Sequence, residues 1–292
     1  MRSLLFVPGD SERKLEKAFV SAADVIIVDL EDSVAPANKA AARSVAAAFI
    51  RSHRKATRAK IYVRVNDLAS GLLDDDLKAV MPVWPDGIMQ PKAEGLADVE
   101  RLSVKLRVQE VMNGLADGVT RILPIITETA AGLLAAGSFT RGSERLSGVT
   151  WGAEDLSAAI GARATRDETG RYTEVFRLAR SVTLLAASSA QTSAIDTVFV
   201  NFRDLEGLHA ECFEAERDGF TGKMAIHPDQ VAIINAAFTP SPEAIEEAQS
   251  IAAAFEAAGN PGVVGIGGKM FDRPHLKRAQ RLIARAATIQ DG

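Results

Sequence analysis

Two acidic residues, Glu128 and Asp155, have the chemistry and the positions expected of a divalent-metal site. Each follows a short apolar run that reads as a buried strand, and the two runs are neighbours in chain order. Mg²⁺ prefers oxygen ligands, takes one or two protein carboxylates and keeps positions for water and substrate. We therefore expect both carboxylates to share one Mg²⁺, with Mn²⁺ as an alternative ion. Otherwise they cap the following helices or pair with basic side chains.

Three further residues at predicted strand ends have side chains suited to catalysis. The planar guanidinium of Arg64 can bind both oxygens of a substrate carboxylate, which a lysine cannot do. Lys92 could form a Schiff base with a carbonyl substrate. His227 could act as an acid or a base. Structural roles stay open for all three: a rim salt bridge for Arg64, an ion pair for Lys92 and a helix entry at His227-Pro228.

A basic cluster lies on the first predicted helix. Arg13, Lys14 and Lys17 stand beside the end of the first strand, where they could hold the phosphates of a nucleotide-bearing cofactor. Equally, they could form a solvated face paired with Glu12 and Glu16 at helical spacing. Composition alone favours the solvated face.

Composition excludes several classes of protein. The chain has 292 residues, of which 47% are hydrophobic and 25% charged, as in ordinary globular proteins. Its net charge of −4 gives no field that would attract nucleic acid or anionic lipid. No apolar run approaches the roughly 18 residues that a membrane span needs. We therefore expect neither a nucleic acid nor a membrane as partner.

The compartment is inferred from cysteine usage and from the first residues. Cys212 is the single cysteine, so no intrachain disulfide can form. It stands among glutamates, which disfavour a reactive thiolate. A strand-like run begins at Ser3, which leaves no room for a signal peptide. A cytoplasmic location is the resulting expectation.

The chain alternates short apolar runs with longer helical segments. The predicted strands are Leu4–Val7, Val25–Leu30, Ile61–Val65, Gly87–Gln90, Ile122–Thr127, Gly148–Gly152, Ile195–Phe202 and Met224–Ile226. The predicted helices include 11–22, 37–51, 97–115, 171–190 and 205–217. Such alternation indicates parallel strands joined by right-handed crossovers. Eight of them predict an α/β fold, a (β/α)₈ TIM barrel.

The barrel is predicted to span residues 1–238, followed by a C-terminal tail at 239–292. In the tail, a long helix (Ser241–Gly259) precedes a glycine-rich loop (Gly262–Gly268) and a basic helix (Leu276–Ala287). Because the barrel does not need this segment, we expect a lid or an oligomerisation arm, within one structural domain overall.

Charged or polar residues follow almost every predicted strand. They are Asp10, Asp29, Glu31, Asp32, Arg64, Asn66, Asp67, Gln90, Lys92, Glu128, Glu154, Asp155, Asn201 and His227. Active sites of this architecture lie at the C-terminal ends of the strands, whereas the opposite rim mainly serves stability. One such residue is readily explained as a helix cap, but the whole set predicts a single site at the barrel mouth.

These residues also resemble a known family. The motifs are Arg2–Asp10 (RSLLFVPGD), Asp29–Val34 (DLEDSV), Val63–Asn66, Pro91-Lys92, Glu128–Ala130, Gly152–Leu156 (GAEDL), Gly222-Lys223, Ile226–Pro228 and Gly268–Asp272. Together they resemble the citrate lyase β-subunit-like group of the HpcH/HpaI aldolase superfamily, which includes malyl-CoA and citramalyl-CoA lyases. The resemblance extends in register from Arg2 to about Ala287.

The resemblance implies a (β/α)₈ barrel that assembles as a homotrimer or a dimer of trimers. It implies Mg²⁺ on Glu128 and Asp155, with Glu128 also catalytic, and Arg64 on the substrate carboxylate. Asp272 would act as acid/base in the site of a neighbouring subunit. The remaining implied residues are Asp29, Glu31 and Lys92 for substrate, and Phe6, Arg13 and Lys17 for CoA.

The implied reaction is reversible, Mg²⁺-dependent cleavage of a β-hydroxyacyl-CoA thioester to acetyl-CoA or propionyl-CoA and a 2-oxo acid. The alternatives are a CoA-independent 2-oxo-acid aldolase, a malyl-CoA-type thioesterase and a β subunit that needs a carrier protein. One departure concerns the tail, because relatives often carry Asp-Gly-Lys-Met where this chain has Gly267-Gly268-Lys269-Met270. The loss of that carboxylate is expected to affect the hinge of the tail.

Overall fold

The computed structural model describes residues 1–290. They form two compact units, the first comprising Met1–Asn235 and the second beginning at Ala236.

The first unit is built on a sheet of eight parallel strands. They are β1 (Ser3–Pro8), β2 (Val25–Asp29), β3 (Lys60–Arg64), β4 (Gly87–Gln90), β5 (Arg121–Pro124), β6 (Val149–Thr150), β7 (Ala194–Asp196) and β8 (Gly222–Ala225). Neighbours in the sheet follow the order β5-β4-β3-β2-β1-β8-β7-β6. Single parallel bridges, Ile122 to Leu146 and Ile125 to Thr150, join β5 to the segment around β6. These bridges close the sheet, so the predicted (β/α)₈ barrel is confirmed.

Helices connect the strands. They are α1 (Glu12–Phe19), α2 (Lys39–His53), α3 (Leu73–Val80), α4 (Leu96–Met112), α5 (Ala130–Ala135), α6 (Ala153–Ile160), α7 (Glu174–Ser189), α8 (Leu205–Asp218) and α9 (Asp229–Phe238). Three short 3₁₀ helices accompany them, at Pro36–Asn38, Met81–Val83 and Ala136–Arg141. Side-chain oxygens cap several of the α-helices. Thr129 accepts the Gly132 N–H at the start of α5, and Asp204 accepts the Gly207 N–H at the start of α8.

The barrel core explains the apolar strand sequences. Every residue of β2 is buried, as expected for a parallel strand covered on both faces. Side chains from most of the strands pack in one cluster: Leu4, Val25, Ile27, Tyr62, Met89, Leu123, Ile125, Ile195 and Met224. A rigid, filled barrel therefore positions the polar residues that follow the strands.

Several predicted strands extend past their observed ends, and the seventh and the fifth are two examples. The seventh was predicted to reach Phe202 but ends at Asp196, and the fifth was predicted to reach Thr127 but ends at Pro124. In both, the β-branched pattern continues after the chain leaves the ladder. The residues past β5 still make single bonds, since the N–H groups of Ile125 and Ile126 donate to Gln90 and Thr150. Hydrophobic periodicity does not separate such segments from true strands.

The second unit contains two helices and a β-hairpin. Helix α10 (Pro242–Ala257) precedes β9 (Val263–Ile266), β10 (Lys269–Asp272) and helix α11 (Arg273–Gln290). The two strands pair antiparallel. Residues of both helices and of β9 form the core of this unit: Ala248, Ile251, Phe255, Val264, Leu276 and Ala279.

The predicted glycine-rich loop is wrong in its conformation, because most of it is the β9–β10 hairpin. Gly267 and Gly268 connect the strands with φ of 55° and 78°. Two positive φ values in a two-residue loop are the signature of a type I′ turn, for which Gly-Gly and Asp-Gly are both favoured. Glycine in place of the aspartate of relatives therefore preserves the turn.

Within residues 1–290, no helix has both the length and the apolar character that crossing a bilayer requires.

Candidate active site

Glu128 leaves the barrel just beyond β5 and is buried, with 3% of its surface exposed. Gly152, which precedes α6, makes room for it: a Cβ on Gly152 would lie 2.7 Å from Cγ of Glu128. The backbone N–H of Lys92 donates to Oε2 of Glu128 at 2.5 Å. Lys92 has φ of 51°, a left-handed conformation that is uncommon outside glycine. The local backbone thus fixes a carboxylate in a place with little water.

Asp155 faces Glu128 from the first turn of α6 rather than from the end of β6. Its side chain is 33% exposed. Burial, and after it the nearby negative charge of Asp155, raise the pKa of Glu128 to about 8. The two carboxylates therefore repel each other, and a cation between them would relieve that repulsion.

Arg64 lies at the end of β3 and is held by Asp29 at the end of β2. Its Nε and Nη2 donate to the two oxygens of Asp29 at 2.7 Å each, and its Nη1 lies 3.0 Å from Oε2 of Glu31. Burial opposes ionisation of Asp29, but the Arg64 guanidinium outweighs it and keeps the pKa of Asp29 below its usual value. This pair is a bidentate, charge-assisted contact that fixes the guanidinium.

The ammonium of Lys92 is surrounded by carboxylates. It contacts Glu31 closely and lies 3.4 Å from Asp32 and 3.5 Å from Asp155. Burial alone would lower the pKa of Lys92, but the contact with Glu31 and the surrounding charges raise it. A Schiff-base lysine needs a depressed pKa to supply neutral amine. The surroundings of Lys92 therefore favour the ion-pair interpretation.

The loop after β2 is held by a second group of buried polar residues. Nζ of Lys39 donates to the carbonyls of Leu30 and Glu31 and to Oδ1 of Asn66 at 2.7 to 2.8 Å. The side-chain amide of Asn66 donates in turn to Asp76, which is 0% exposed. These contacts position Glu31 without lying in the site themselves.

A cavity of about 540 Å³ opens beside β1 and α1. It is lined by Leu5, Phe6, Val7, Pro8, Arg13, Lys14, Lys17, Ala18, Ser33, Ile226, His227 and Pro228. Within residues 1–290, neither Arg13 nor Lys17 has a carboxylate within the 4.0 Å of an ion pair, whereas Glu16 pairs with His53 at 3.2 Å. The predicted pairing of the basic cluster with Glu12 and Glu16 is therefore absent from the described structure.

Phe6 connects this cavity with the carboxylate cluster. It lines the cavity, and its ring packs against the guanidinium of Arg64 at 4.9 Å. His227 lines the same cavity and stacks on Phe202, and its Nδ1 accepts from the N–H of Asp229 at 3.3 Å. That last contact supports the interpretation of His227 as a helix entry, since Asp229 begins α9.

The donor set fits a hard divalent cation. Glu128 and Asp155 supply carboxylate oxygens, one buried and one open to solvent, as Mg²⁺ requires if it is to keep water and substrate ligands. Among residues 1–290, no group of three or more His, Cys, Asp or Glu side chains is arranged to hold a metal ion. Two carboxylates are within the usual number for Mg²⁺ but below the three or four ligands of a structural zinc site.

Of the residues predicted for the site, the structure brings six together at the barrel mouth: Asp29, Glu31, Arg64, Lys92, Glu128 and Asp155. Phe6, Arg13 and Lys17 line one cavity. Asp272 belongs to the second unit, at the end of β10, where its side chain is 51% exposed and contacts His275.

Sequence reasoning missed three features of the site. The role of Gly152 was visible only as part of the motif Gly152–Leu156, and nothing in the sequence shows that Glu128 packs on it. Lys39 and Asp76 lie on helices, 27 and 10 residues along the chain from Asn66, which both contact, and no local pattern shows these contacts. His275 was not considered, although it lies three residues after Asp272, a spacing at which side chains meet on a helix.

Comparisons with known proteins agree with this geometry. Residues 2–228 match the family described as HpcH/HpaI aldolase/citrate lyase. The chain is 33% identical over 302 residues to the mitochondrial citramalyl-CoA lyase of Rattus norvegicus, covering 99% of this chain and 87% of that protein. It is 36% identical over 292 residues to a (3S)-malyl-CoA thioesterase of Cereibacter sphaeroides, covering 99% and 95%.

A solved structure extends the likeness to three dimensions. The protein CitE of Mycobacterium tuberculosis, in complex with magnesium, acetoacetate and coenzyme A, superposes with a TM-score of 0.75 at 33% identity, covering 98% of both chains. With a family match over most of its length and relatives above 30% identity, the chain belongs to the HpcH/HpaI aldolase/citrate lyase family.

Proposed function

We propose that this protein is a Mg²⁺-dependent carbon–carbon lyase. Its substrate is a β-hydroxyacyl-CoA of the malyl-CoA, citramalyl-CoA or citryl-CoA type, and the products are acetyl-CoA or propionyl-CoA and a 2-oxo acid. The observation that carries the proposal is the Glu128–Asp155 carboxylate pair beside the anchored guanidinium of Arg64. Citramalyl-CoA lyase and CitE among the relatives support it.

Glu128 and Asp155 are the residues proposed to hold the ion. When bound there, Mg²⁺ supplies Lewis-acid polarisation of the oxygen that becomes the carbonyl of the 2-oxo acid. The protein's part is to keep Glu128 buried and oriented through the Lys92 N–H, and to leave Asp155 accessible from the mouth.

Arg64 is proposed to bind the carboxylate of the substrate. A guanidinium has five N–H donors, of which Asp29 takes one on Nε and one on Nη2. Glu31 lies 3.0 Å from Nη1, so one donor on Nη1 and one on Nη2 are left for a ligand, and Asp29 fixes the plane of the guanidinium. Asp29 then acts by positioning Arg64, while Glu31 and Lys92 form the adjacent wall.

The cavity lined by Phe6, Arg13 and Lys17 is proposed to hold the CoA moiety. Its wall combines apolar side chains of β1 with cations of α1. CoA needs that combination, because the pantetheine arm is weakly polar and the phosphates are anionic. The cations of Arg13 and Lys17 are not already committed to carboxylates in the described part of the chain, so phosphate contacts do not compete with internal ion pairs.

Asp272 is proposed to act as acid/base from a neighbouring subunit of a homotrimer or a dimer of trimers. In cleavage, the substrate hydroxyl loses its proton to solvent and its carbon becomes the carbonyl of the 2-oxo acid, while the carbon–carbon bond breaks and its electron pair becomes the enolate of the acyl-CoA. The enolate then takes a proton at carbon. An exposed carboxylate on a short hairpin, such as Asp272, suits delivery of that proton across a subunit interface.

A location in the cytoplasm is proposed as well. It rests on the single cysteine, Cys212, which is a free, buried thiol, as is usual for proteins of a reducing compartment. Fractionation of cells with an antibody to the protein tests this location.

The second candidate function is thioester hydrolysis. It is favoured by the (3S)-malyl-CoA thioesterase that is 36% identical to this chain. Lyase and thioesterase would share the metal pair and the CoA cavity, and they differ in whether free CoA or a 2-oxo acid is released. An aldolase without CoA would not use the cavity, and a carrier-dependent β subunit would need an acyl carrier instead of free CoA.

One experiment separates these functions. The purified protein is incubated with malyl-CoA, citramalyl-CoA and citryl-CoA, with and without Mg²⁺, while 2-oxo acid and free CoA are quantified separately. We expect Mg²⁺-dependent release of 2-oxo acid in step with acetyl-CoA or propionyl-CoA. Free CoA without 2-oxo acid would assign a thioesterase. Turnover of a free hydroxy acid at an equal rate would contradict the role of CoA.

A further inference from the structure

Asp272 and His275 form a close pair in the second unit. Nδ1 of His275 lies 2.5 Å from Oδ1 of Asp272, and the ring of Phe271 packs edge-on against the imidazole at 5.4 Å. Both side chains are accessible, 51% for Asp272 and 37% for His275. The pair therefore combines a fixed geometry with contact to solvent.

A helix cap accounts for only part of this geometry. Asp272 precedes α11, where a capping carboxylate accepts the backbone N–H three residues on. Asp204 caps α8 in this way, with 2.8 Å to the N–H of Gly207. For Asp272 the corresponding bond, from the N–H of His275, is longer at 3.4 Å, and the backbone N–H of Asp272 donates to Nδ1 of His275 at 3.3 Å. The shortest contact of the carboxylate, at 2.5 Å, is the one with Nδ1 of the imidazole.

Few charged groups lie close to the Asp272–His275 pair. Strand β9 carries no charged residue, and within residues 1–290 His275 is the cationic group within 4.0 Å of the Asp272 carboxylate. Arg273, between the two, donates to the carbonyl of Asn260 at 2.6 Å. The other charged groups on α10, β10 and α11 are Lys269, Lys277, Arg278, Arg281, Arg285, Glu243, Glu246, Glu247 and Glu256.

We propose that His275 is a positioning residue that holds the proton which Asp272 transfers; this rests on the proposed acid/base role of Asp272. In the cleavage direction, the protonated ring of His275 gives its Nδ1 proton to Oδ1 of Asp272, and the carboxyl formed in this way gives that proton to the enolate carbon. One N–H bond is lost and one C–H bond is formed, the enolate loses its charge, and Asp272 returns to a carboxylate. The proton that the substrate hydroxyl releases to solvent is replaced on the imidazole from solvent, so the proton count balances.

The chemistry requires such a partner. The hydrogen bond to His275 lowers the pKa of Asp272, so the carboxylate by itself is a poor store for a proton near neutral pH. Imidazole changes charge between about pH 5 and pH 8, which makes it the side chain suited to that store. An acid/base carboxylate without a second proton-holding group would be mostly ionised when the enolate forms.

The test compares His275→Asn with His275→Ala and Asp272→Asn in the full chain. Asparagine keeps a donor near the position of Nδ1 but cannot hold a transferable proton. The rates kcat and KM for cleavage of malyl-CoA or citramalyl-CoA are measured from about pH 5 to pH 9, with Tm and Mg²⁺ affinity as structural controls. His209→Asn, an exposed histidine on α8, is the matched control.

We expect His275→Asn and His275→Ala to lose kcat by about tenfold or more, below the 10²–10⁴-fold expected of Asp272→Asn, with KM and Tm unchanged. The pH dependence of kcat should differ between the wild type and both variants, because only the wild type has an imidazole at this position. If His275→Asn restores the wild-type rate and pH profile while Asp272→Asn is inactive, His275 is only a hydrogen-bond donor and the inference is wrong. If Asp272→Asn is fully active, the proposed role of Asp272 itself is wrong.

Discussion

Gly152 and Glu128 lie so close that a Cβ on Gly152 would come within 2.7 Å of Cγ of Glu128 and 3.3 Å of its Oε1. Gly152 has φ of −124°, a conformation open to any residue, so the glycine is needed here for space and not for backbone freedom. The chain beyond β6 thereby serves as the wall against which the buried carboxylate rests.

Gly152→Ala should therefore displace Glu128 while the barrel stays folded. The added methyl group would lie 2.7 Å from Cγ of Glu128, so the side chain of Glu128 has to move. The backbone at Gly152 tolerates alanine, so the barrel itself is not strained. We expect Mg²⁺ affinity to fall by about 10- to 100-fold, as for other residues that orient a metal ligand. Titration calorimetry with Mg²⁺ measures this. Gly137→Ala is the control, since a Cβ there meets no atom within 4 Å; equal affinities in both variants would show that Glu128 does not bind the ion.

Removal of the metal should abolish activity. If Glu128 and Asp155 are the ligands, EDTA eliminates turnover and added Mg²⁺ or Mn²⁺ restores it. Glu128→Ala and Asp155→Ala should each lose metal binding with little change in Tm, because polar residues at the mouth contribute little to the barrel core. Circular dichroism and calorimetry on the same samples provide both readings.

Full activity in EDTA would indicate a metal-independent, Schiff-base mechanism. Borohydride would then be expected to trap substrate on Lys92, the alternative that the sequence left open. The carboxylates around the Lys92 ammonium argue against that outcome.

Replacing Arg64 by lysine should be a severe change although the charge is kept. A lysine cannot reproduce the two bonds to Asp29, which is 1% exposed, and loses the fork that would receive the substrate carboxylate. We expect kcat/KM to fall by an amount equivalent to about 2–4 kcal/mol of transition-state stabilisation. Arg101→Lys, with a side chain 72% exposed, is the matched control and should be neutral. Near-normal kcat/KM in Arg64→Lys would reduce Arg64 to a structural ion-pair partner.

The barrel could be predicted from the sequence because its strands are short apolar runs whose order leaves few topologies. The candidate site was predicted for the same reason: carboxylates that end parallel strands meet at one mouth. Ile195–Phe202 shows the limit, because residues 197–202 have strand-like side chains but no partner strand. Local pattern carries no information about where the hydrogen-bonding partner ends.

Contacts between distant parts of the chain could not be predicted. The pairing of Arg64 with Asp29 joins residues 35 apart, and that of Lys92 with Glu31 joins residues 61 apart. The sequence left a salt bridge of Arg64 and an ion pair of Lys92 open as alternatives to substrate binding, but it did not single out Asp29 as the partner of Arg64. The β9–β10 hairpin was missed for a different reason: the glycines indicated a loop, whereas Gly267 and Gly268, with two positive φ values, form the tight turn between two strands.

The buried pair of Glu110 and Arg145 should make stability depend on pH. Arg145 donates to both oxygens of Glu110 at 2.7 and 2.8 Å, and the N–H groups of Gly118 and Thr120 donate as well. Burial opposes ionisation, but these bonds lower the pKa of Glu110 to about 2 from 4.5. Because the folded state has the lower pKa, the stabilisation is complete above about pH 5.5 and is lost as pH falls toward 2.

Glu110→Gln should therefore destabilise the protein by about 3–5 kcal/mol at pH 7, the usual cost of removing one partner of a buried ion pair. The difference from wild type should shrink as pH is lowered toward 3, where the wild-type carboxyl begins to protonate. Urea unfolding across this pH range gives the two curves. Lys105→Gln, which breaks an exposed pair with Asp74, should cost less than about 1 kcal/mol at every pH. A constant difference between Glu110→Gln and wild type would contradict the lowered pKa.

Assembly and catalysis are joined by the proposal that Asp272 completes the site of a neighbouring subunit. Asp272→Asn should keep Mg²⁺ binding and lose about 10²–10⁴-fold in rate, while Glu128→Ala loses the metal. When the two inactive proteins are unfolded, mixed in equal amounts and refolded, random assembly into closed rings should give wild-type residues at about one quarter of the sites. Activity should recover to about that fraction. The control mixes Glu128→Ala with Asp155→Ala, both in the first unit, and should recover nothing if one subunit supplies both ligands. Hybrids of the first mixture that assemble but stay inactive would show that Asp272 does not work across subunits.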